Sequence, residues 1–163
     1  MEAKKKKIIF QNVWRKFNPD SKENMQTTFT NDIKHNYDPT LIMKDEKIIE
    51  DCTNILRENI EIINLAFKEG IANSPETYPE ISSKCFIDTI MVNQKGFPKN
   101  EQLPRAFIEN CYIRATRGDG VKGLNGKLCR GEYLDVVLRL CFSIHPNDVS
   151  EKLPEFLNKY VLP

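Results

Sequence analysis

The sequence predicts an all-α protein made of two helix-loop-helix units, and three observations favour this fold class. From residue 45 onward, apolar residues recur at steps of three and four, which is the period of one helix face. Stretches containing Gly and Pro interrupt these segments and indicate loops between helices. The second half of the chain then repeats the order helix, loop, helix of the first half.

Length and composition place the chain among single-domain soluble proteins. Its 163 residues are 40% apolar and 29% charged, with 24 basic and 23 acidic side chains. A chain of this length buries enough surface to form a core without disulfides or a structural metal. Its apolar runs fall far short of the roughly 20 residues that a membrane helix needs, so we expect an intracellular protein without membrane contact.

The number and spacing of the five cysteines indicate thiols that pack in the core rather than disulfides or metal ligands. Their number is odd and their spacing irregular. Cys141 and His145 form the one short Cys/His pair, whereas a structural zinc site takes four ligands. Neither His35 nor His145 belongs to a recognisable nucleophile motif, so we predict that the protein is not an enzyme.

The sequence pattern of residues 1–43 predicts an extended N-terminal arm. The stretch over 18–40 shows neither helical nor strand periodicity and cannot form a core of its own. Two interpretations are open, an ordered arm lying along the domain or a partner, and a disordered leader. We favour the bound arm, because its aromatic side chains are interleaved with basic ones, as in an extended binding segment. The predicted partner-binding residues are Lys4, Lys5, Lys6, Lys7, Trp14, Arg15, Lys16 and Phe17.

The sequence pattern of residues 44–145 predicts the two paired helix-loop-helix units. The first helix begins at Asp45, carries acidic residues in its first turns, where the helix dipole favours them, and ends at Gly70. A loop containing two prolines follows. Ser82 or Ser83 then caps a short second helix, which completes the first unit.

The second unit follows a linker over 93–101. Its first helix begins at Pro104, a residue that suits the first turn, and a glycine-rich loop over 117–127 follows. The helix over 130–144 is apolar nearly all round, so we expect neighbours to cover it on two sides. A short amphipathic helix in the C-terminal tail, residues 146–163, is predicted to supply part of that cover.

The repeated order of helix, loop of about a dozen residues, and helix is the plan of a paired EF-hand. In that plan the eighth loop residue is aliphatic and pairs with its counterpart across a very small sheet. The predicted pair is Ile81 and Leu128. With Leu128 at position eight, Gly126 falls at the sharp turn of position six and Glu132 at position twelve, where calcium-binding loops have a bidentate glutamate.

We expect no cofactor, because neither loop offers a complete set of calcium ligands. The first loop has Cys85 at position twelve, where a carboxylate is needed. The second loop offers Asp119, Asn125 and Glu132, but its first and third positions lack side-chain oxygens. Its lysines also oppose a divalent cation. Calcium binding at these three residues is the alternative.

Three segments resemble a known family. Residues 128–140 read LCRGEYLDVVLRL, residues 106–116 read AFIENCYIRAT, and residues 78–86 read YPEISSKCF. Each is similar to a segment of degenerate EF-hand-like proteins found in ciliated and flagellated single-celled eukaryotes, and the likeness covers about residues 48 to 145. The resemblance implies a non-catalytic scaffold domain within ciliary or flagellar assemblies.

Although the net charge of the whole chain is close to zero, three segments differ in their own net charge. Residues 1–43 carry a net charge of +3, residues 44–80 of −5, and residues 105–130 of +4. Such blocks indicate internal docking of the acidic segment on a basic one, a basic face turned toward an acidic partner, or separately solvated helix faces. Nucleic acid is not an expected partner, because acidic residues interrupt the basic stretch over 105–130.

We therefore expect a calcium-independent interaction module of the cytoplasm and cytoskeleton. The resemblance implies the axoneme of a cilium, and tubulin is acidic, which suits the basic residues of the arm. The groove between the two units is expected to hold an amphipathic helix of a protein partner. The alternative function is a calcium sensor that opens this groove for a target helix.

Overall fold

The computed structural model describes residues 21–34, 37–116 and 126–163. Seven α-helices lie in these ranges: α1 (Ser21–Lys34), α2 (Glu46–Glu58), α3 (Ile60–Asn73), α4 (Ser83–Asn93), α5 (Arg105–Ala115), α6 (Arg130–Ile144) and α7 (Val149–Phe156). Short 3-10 helices at Pro39–Leu41, Pro75–Thr77 and Lys99–Glu101 lie between them, and a π-helical turn at Leu157–Val161 continues α7. The prediction of an all-α protein is confirmed for the described residues. None of these helices is long and apolar enough to cross a membrane.

The long helix predicted from Asp45 to Gly70 is two helices, α2 and α3. Asp45 is the N-cap of α2, and its carboxylate accepts hydrogen bonds from the Lys47 and Ile48 amides. The break falls at Asn59, whose side-chain amide donates to the Ile55 carbonyl at 2.8 Å. An Asn side chain that bonds the backbone one turn earlier competes with the helical ladder, which is why Asn is common at such breaks.

The central element of the core is α6. Every residue from Gly131 to Cys141 except Arg139 is buried. The helices α1, α3, α5 and α7 pack around α6. Its buried Asp135 pairs with Arg139 one turn later on the same helix. The prediction that neighbouring helices cover α6 on at least two sides is confirmed, since four of them lie against it.

The extended conformation predicted for residues 1–43 is wrong for residues 21–34, which form α1. Met25 and Phe29 lie in the main core, Phe29 with no exposed surface. The Gln26 side-chain amide donates to the Arg57 carbonyl at 3.2 Å, and the Arg57 guanidinium lies 5.5 Å from the centroid of the Phe29 ring. Asp32 pairs with Arg130 at 3.2 Å, which joins α1 to the first turn of α6. Few apolar residues mark this helix, so periodicity alone misses it.

The C-terminal tail is helical, as predicted, and contributes to the core. α7 packs on α2 and α6, and the turn Leu157–Val161 packs on α3 and α4. Pro154 lies inside α7 and cannot donate a backbone hydrogen bond there. The tail is therefore held by side-chain burial more than by its own helical ladder.

Replacing Phe29 with Ala tests whether α1 belongs to the fold. We expect the free energy of unfolding to fall by about 3–5 kcal/mol, because a fully buried aromatic ring leaves a cavity. The matched control is Thr30→Ala, one residue away and exposed, for which we expect a change within about 0.5 kcal/mol. Urea unfolding curves of the three full-length proteins give both values. Equal small effects of the two substitutions would show that α1 is not part of the core.

Candidate functional site

The two loops meet at a single antiparallel β-bridge between Ile81 and Leu128. The amide of each residue donates to the carbonyl of the other at 2.9 Å. Both side chains are almost completely buried, Ile81 at 1% and Leu128 at 0% exposure. The structure thus brings together the two residues that the loop spacing predicts to pair.

Tyr112 of α5 fixes the second loop against the first. Its hydroxyl donates to the Gly126 carbonyl and lies 3.2 Å from the Ile81 carbonyl. The side chain has no exposed surface. A buried carbonyl needs a donor, so this hydroxyl replaces the water that would otherwise solvate the start of the bridge.

An aromatic cluster lies beneath the bridge. Four helices contribute one ring each: Phe67 from α3, Phe86 from α4, Tyr112 from α5 and Tyr133 from α6. The ring centroids of Phe67 and Tyr133 are 5.5 Å apart, and Phe86 lies 5.8 Å from both Tyr112 and Tyr133. Two of the three pairs meet edge to face, an arrangement that the ring quadrupoles favour. The cluster therefore packs the four helices together next to the bridge.

Gly70 permits the close approach of α3 to the bridge. A Cβ atom at this position would lie 2.6 Å from Cδ1 and 3.2 Å from Cγ1 of Ile81. The expectation that Gly70 ends its helix is wrong, because α3 continues to Asn73. The Gly70 carbonyl instead accepts the Ser74 hydroxyl at 2.8 Å and lies 3.3 Å from the Cys85 sulfur. The residue at loop position twelve therefore contacts the α3 backbone.

Hydroxyl groups of the first loop bond within the loop and its flanking helices. The Ser74 hydroxyl donates to the α3 backbone. The Thr77 hydroxyl lies 3.0 Å from the Ser74 carbonyl oxygen and 2.8 Å from the Glu80 carbonyl oxygen. The Ser82 hydroxyl accepts the Cys85 amide at 3.2 Å and serves as the predicted N-cap of α4. These oxygens stabilise the loop conformation and the start of α4.

Glu132, the predicted closing carboxylate of the second loop, lies in the first turn of α6 and is 8% exposed. Its Oε1 atom accepts a hydrogen bond from the Cys129 amide at 3.2 Å. This is the reciprocal contact of a capping box, in which the third helical residue reaches back to the N-cap amide. Asp119 and Asn125, the other candidate calcium ligands, lie outside the described residues.

The predicted partner-binding residues of the arm also lie outside the described residues. They are Lys4, Lys5, Lys6, Lys7, Trp14, Arg15, Lys16 and Phe17. Their role in partner binding stays a prediction.

The buried thiols are inert packing groups. Burial raises the pKa of Cys52 to about 11 and that of Cys141 to about 12. Burial also raises the pKa of Cys111. A thiol with a raised pKa is protonated near neutral pH and is neither a good nucleophile nor a good metal ligand. Across residues 21–34, 37–116 and 126–163, no three His, Cys, Asp or Glu side chains form a group that could hold a metal ion.

The C-terminal segment, residues 149–161, occupies a groove formed by α2, α3, α4 and α6, to which both units contribute. We call this surface the C-terminal groove. The segment buries six apolar side chains in it, none more than 7% exposed: Val149, Leu153, Phe156, Leu157, Tyr160 and Val161. A helical segment of the chain itself therefore lies in a groove between the two units.

The last residue of α4 and the linker that follows it hold the end of this segment. The Asn93 side-chain amide donates to the Tyr160 carbonyl at 2.8 Å, and the Tyr160 hydroxyl donates to the Glu101 carbonyl. The Lys159 ammonium pairs with the Glu101 carboxylate at 2.9 Å and lies 5.0 Å from the centroid of the Phe97 ring. This hydrogen-bonded pairing raises the pKa of Lys159. Sequence reasoning treated 93–101 as a plain linker, because contacts across such a distance in sequence leave no local pattern.

Comparison with known proteins finds no family model, no curated protein and no solved structure that matches this chain.

Replacing Tyr112 with Phe tests the contact between the loops. We expect the free energy of unfolding to fall by about 1–3 kcal/mol, because the buried Gly126 carbonyl loses its donor. Tyr78→Phe is the matched control, since Tyr78 lies in the first loop and is 72% exposed. Urea unfolding of both variants gives the difference. An equal cost for the two substitutions would mean that the Tyr112 hydroxyl does not hold the loops together.

Proposed function

We propose that this chain is a non-catalytic structural module, a degenerate EF-hand pair that binds protein partners in a cytoskeletal assembly without calcium. The observation that carries this proposal is the Ile81–Leu128 bridge. It joins two helix-loop-helix units at the position where the EF-hand plan pairs its loops. The arrangement of loops and helices supports the fold assignment, and the following contacts support independence from calcium.

The residues at both loop exits already have structural partners within the protein. Glu132 accepts the Cys129 amide, so one carboxylate oxygen stabilises the start of α6. Cys85 has no carboxylate, and its sulfur faces the Gly70 carbonyl. A calcium sensor needs loop ligands that are free to rearrange around the ion and to move the exiting helices. Buried packing and hydrogen bonds at these positions favour a module with one fixed conformation.

The occupied C-terminal groove supports the same conclusion. A sensor of the open-and-closed kind exposes an apolar groove when its metal binds. Here six apolar side chains of the C-terminal segment fill the groove, and two hydrogen bonds, one ion pair and one cation–ring contact hold its end. Opening the groove would expose all of that surface, at a cost of roughly 1.5–3 kcal/mol for each large apolar side chain.

Calorimetry decides between the structural module and the calcium sensor. Calcium is titrated into the full-length protein from micromolar to millimolar levels, the range in which EF-hands bind it. We expect no binding isotherm. Glu132→Gln and the exposed loop variant Glu76→Gln serve as a matched pair, because glutamine can still accept the capping hydrogen bond. A binding isotherm for the natural chain that disappears in Glu132→Gln and persists in Glu76→Gln would contradict the proposal and establish the sensor.

The proposed partner surface is the basic arm, and the proposed partner is the acidic surface of an axonemal microtubule. Within residues 1–20 the sequence has six basic and two acidic side chains. Long-range attraction between a basic segment and an acidic lattice raises both affinity and association rate, and salt weakens it. The resemblance to ciliary EF-hand-like proteins supports this choice of partner.

Charge reversal of the arm tests this partner. In one variant Lys4, Lys5, Lys6 and Lys7 become Glu; in the matched control four exposed lysines of the domain, Lys47, Lys84, Lys95 and Lys99, become Glu. Both variants have the same net charge, so any difference between them is due to position. We expect co-sedimentation with microtubules to be lost in the arm variant and retained in the control, and to weaken with salt. Equal pelleting of the two variants would contradict the role of the arm. Deleting residues 1–40 is a poorer test, because it removes the buried α1.

A further inference from the structure

We draw no further inference here: the strongest candidate, the acidic outer face of α2 and the start of α3 with the exposed carboxylates of Glu46, Glu50, Asp51, Glu58 and Glu61, is a surface cluster of acidic side chains, and nothing among the described residues shows what covers it.

Discussion

The fold depends on one pair of backbone hydrogen bonds between Ile81 and Leu128. These bonds are the single place where the loops of the two units meet as extended chain within the described residues. The Tyr112 hydroxyl, the close approach at Gly70 and the four-ring cluster all lie next to the pair and make it rigid. Within the described residues, the two paired side chains are buried, and the Tyr112 hydroxyl bonds the carbonyls next to the pair.

The paired loops hold the two units side by side. Both units contribute to the C-terminal groove, and the C-terminal segment fills it. Because the groove is filled, the function that we propose assigns partner binding to the basic N-terminal residues. The proposed structural role rests on this filled groove.

Local sequence patterns predicted the helices from α4 to α7 and the pairing of the loops, because each has a strong local signal. Ser82 caps α4, the segment over 130–144 is apolar on all sides, and Ile81 and Leu128 have the spacing of position eight in their loops. Contacts over long sequence distances were missed. α1 is held by Phe29 and by the ion pair of Asp32 with Arg130 of α6. The C-terminal segment is held by Asn93 and Glu101, and none of these contacts produces periodicity. The role predicted for Gly70, ending its helix, was wrong because a glycine needed for close packing and a glycine that ends a helix look alike in sequence.

Amide hydrogen exchange at Ile81 and Leu128 tests the central claim most directly. Both amides are in the bridge, and in a rigid pair they exchange only when the domain unfolds. The account predicts that the two amides exchange at the slow rate of the α6 core amides, and that adding calcium leaves these rates unchanged. Fast exchange at the bridge, or a large slowing when calcium is added, would contradict it, because the pairing would then form weakly or only with the ion.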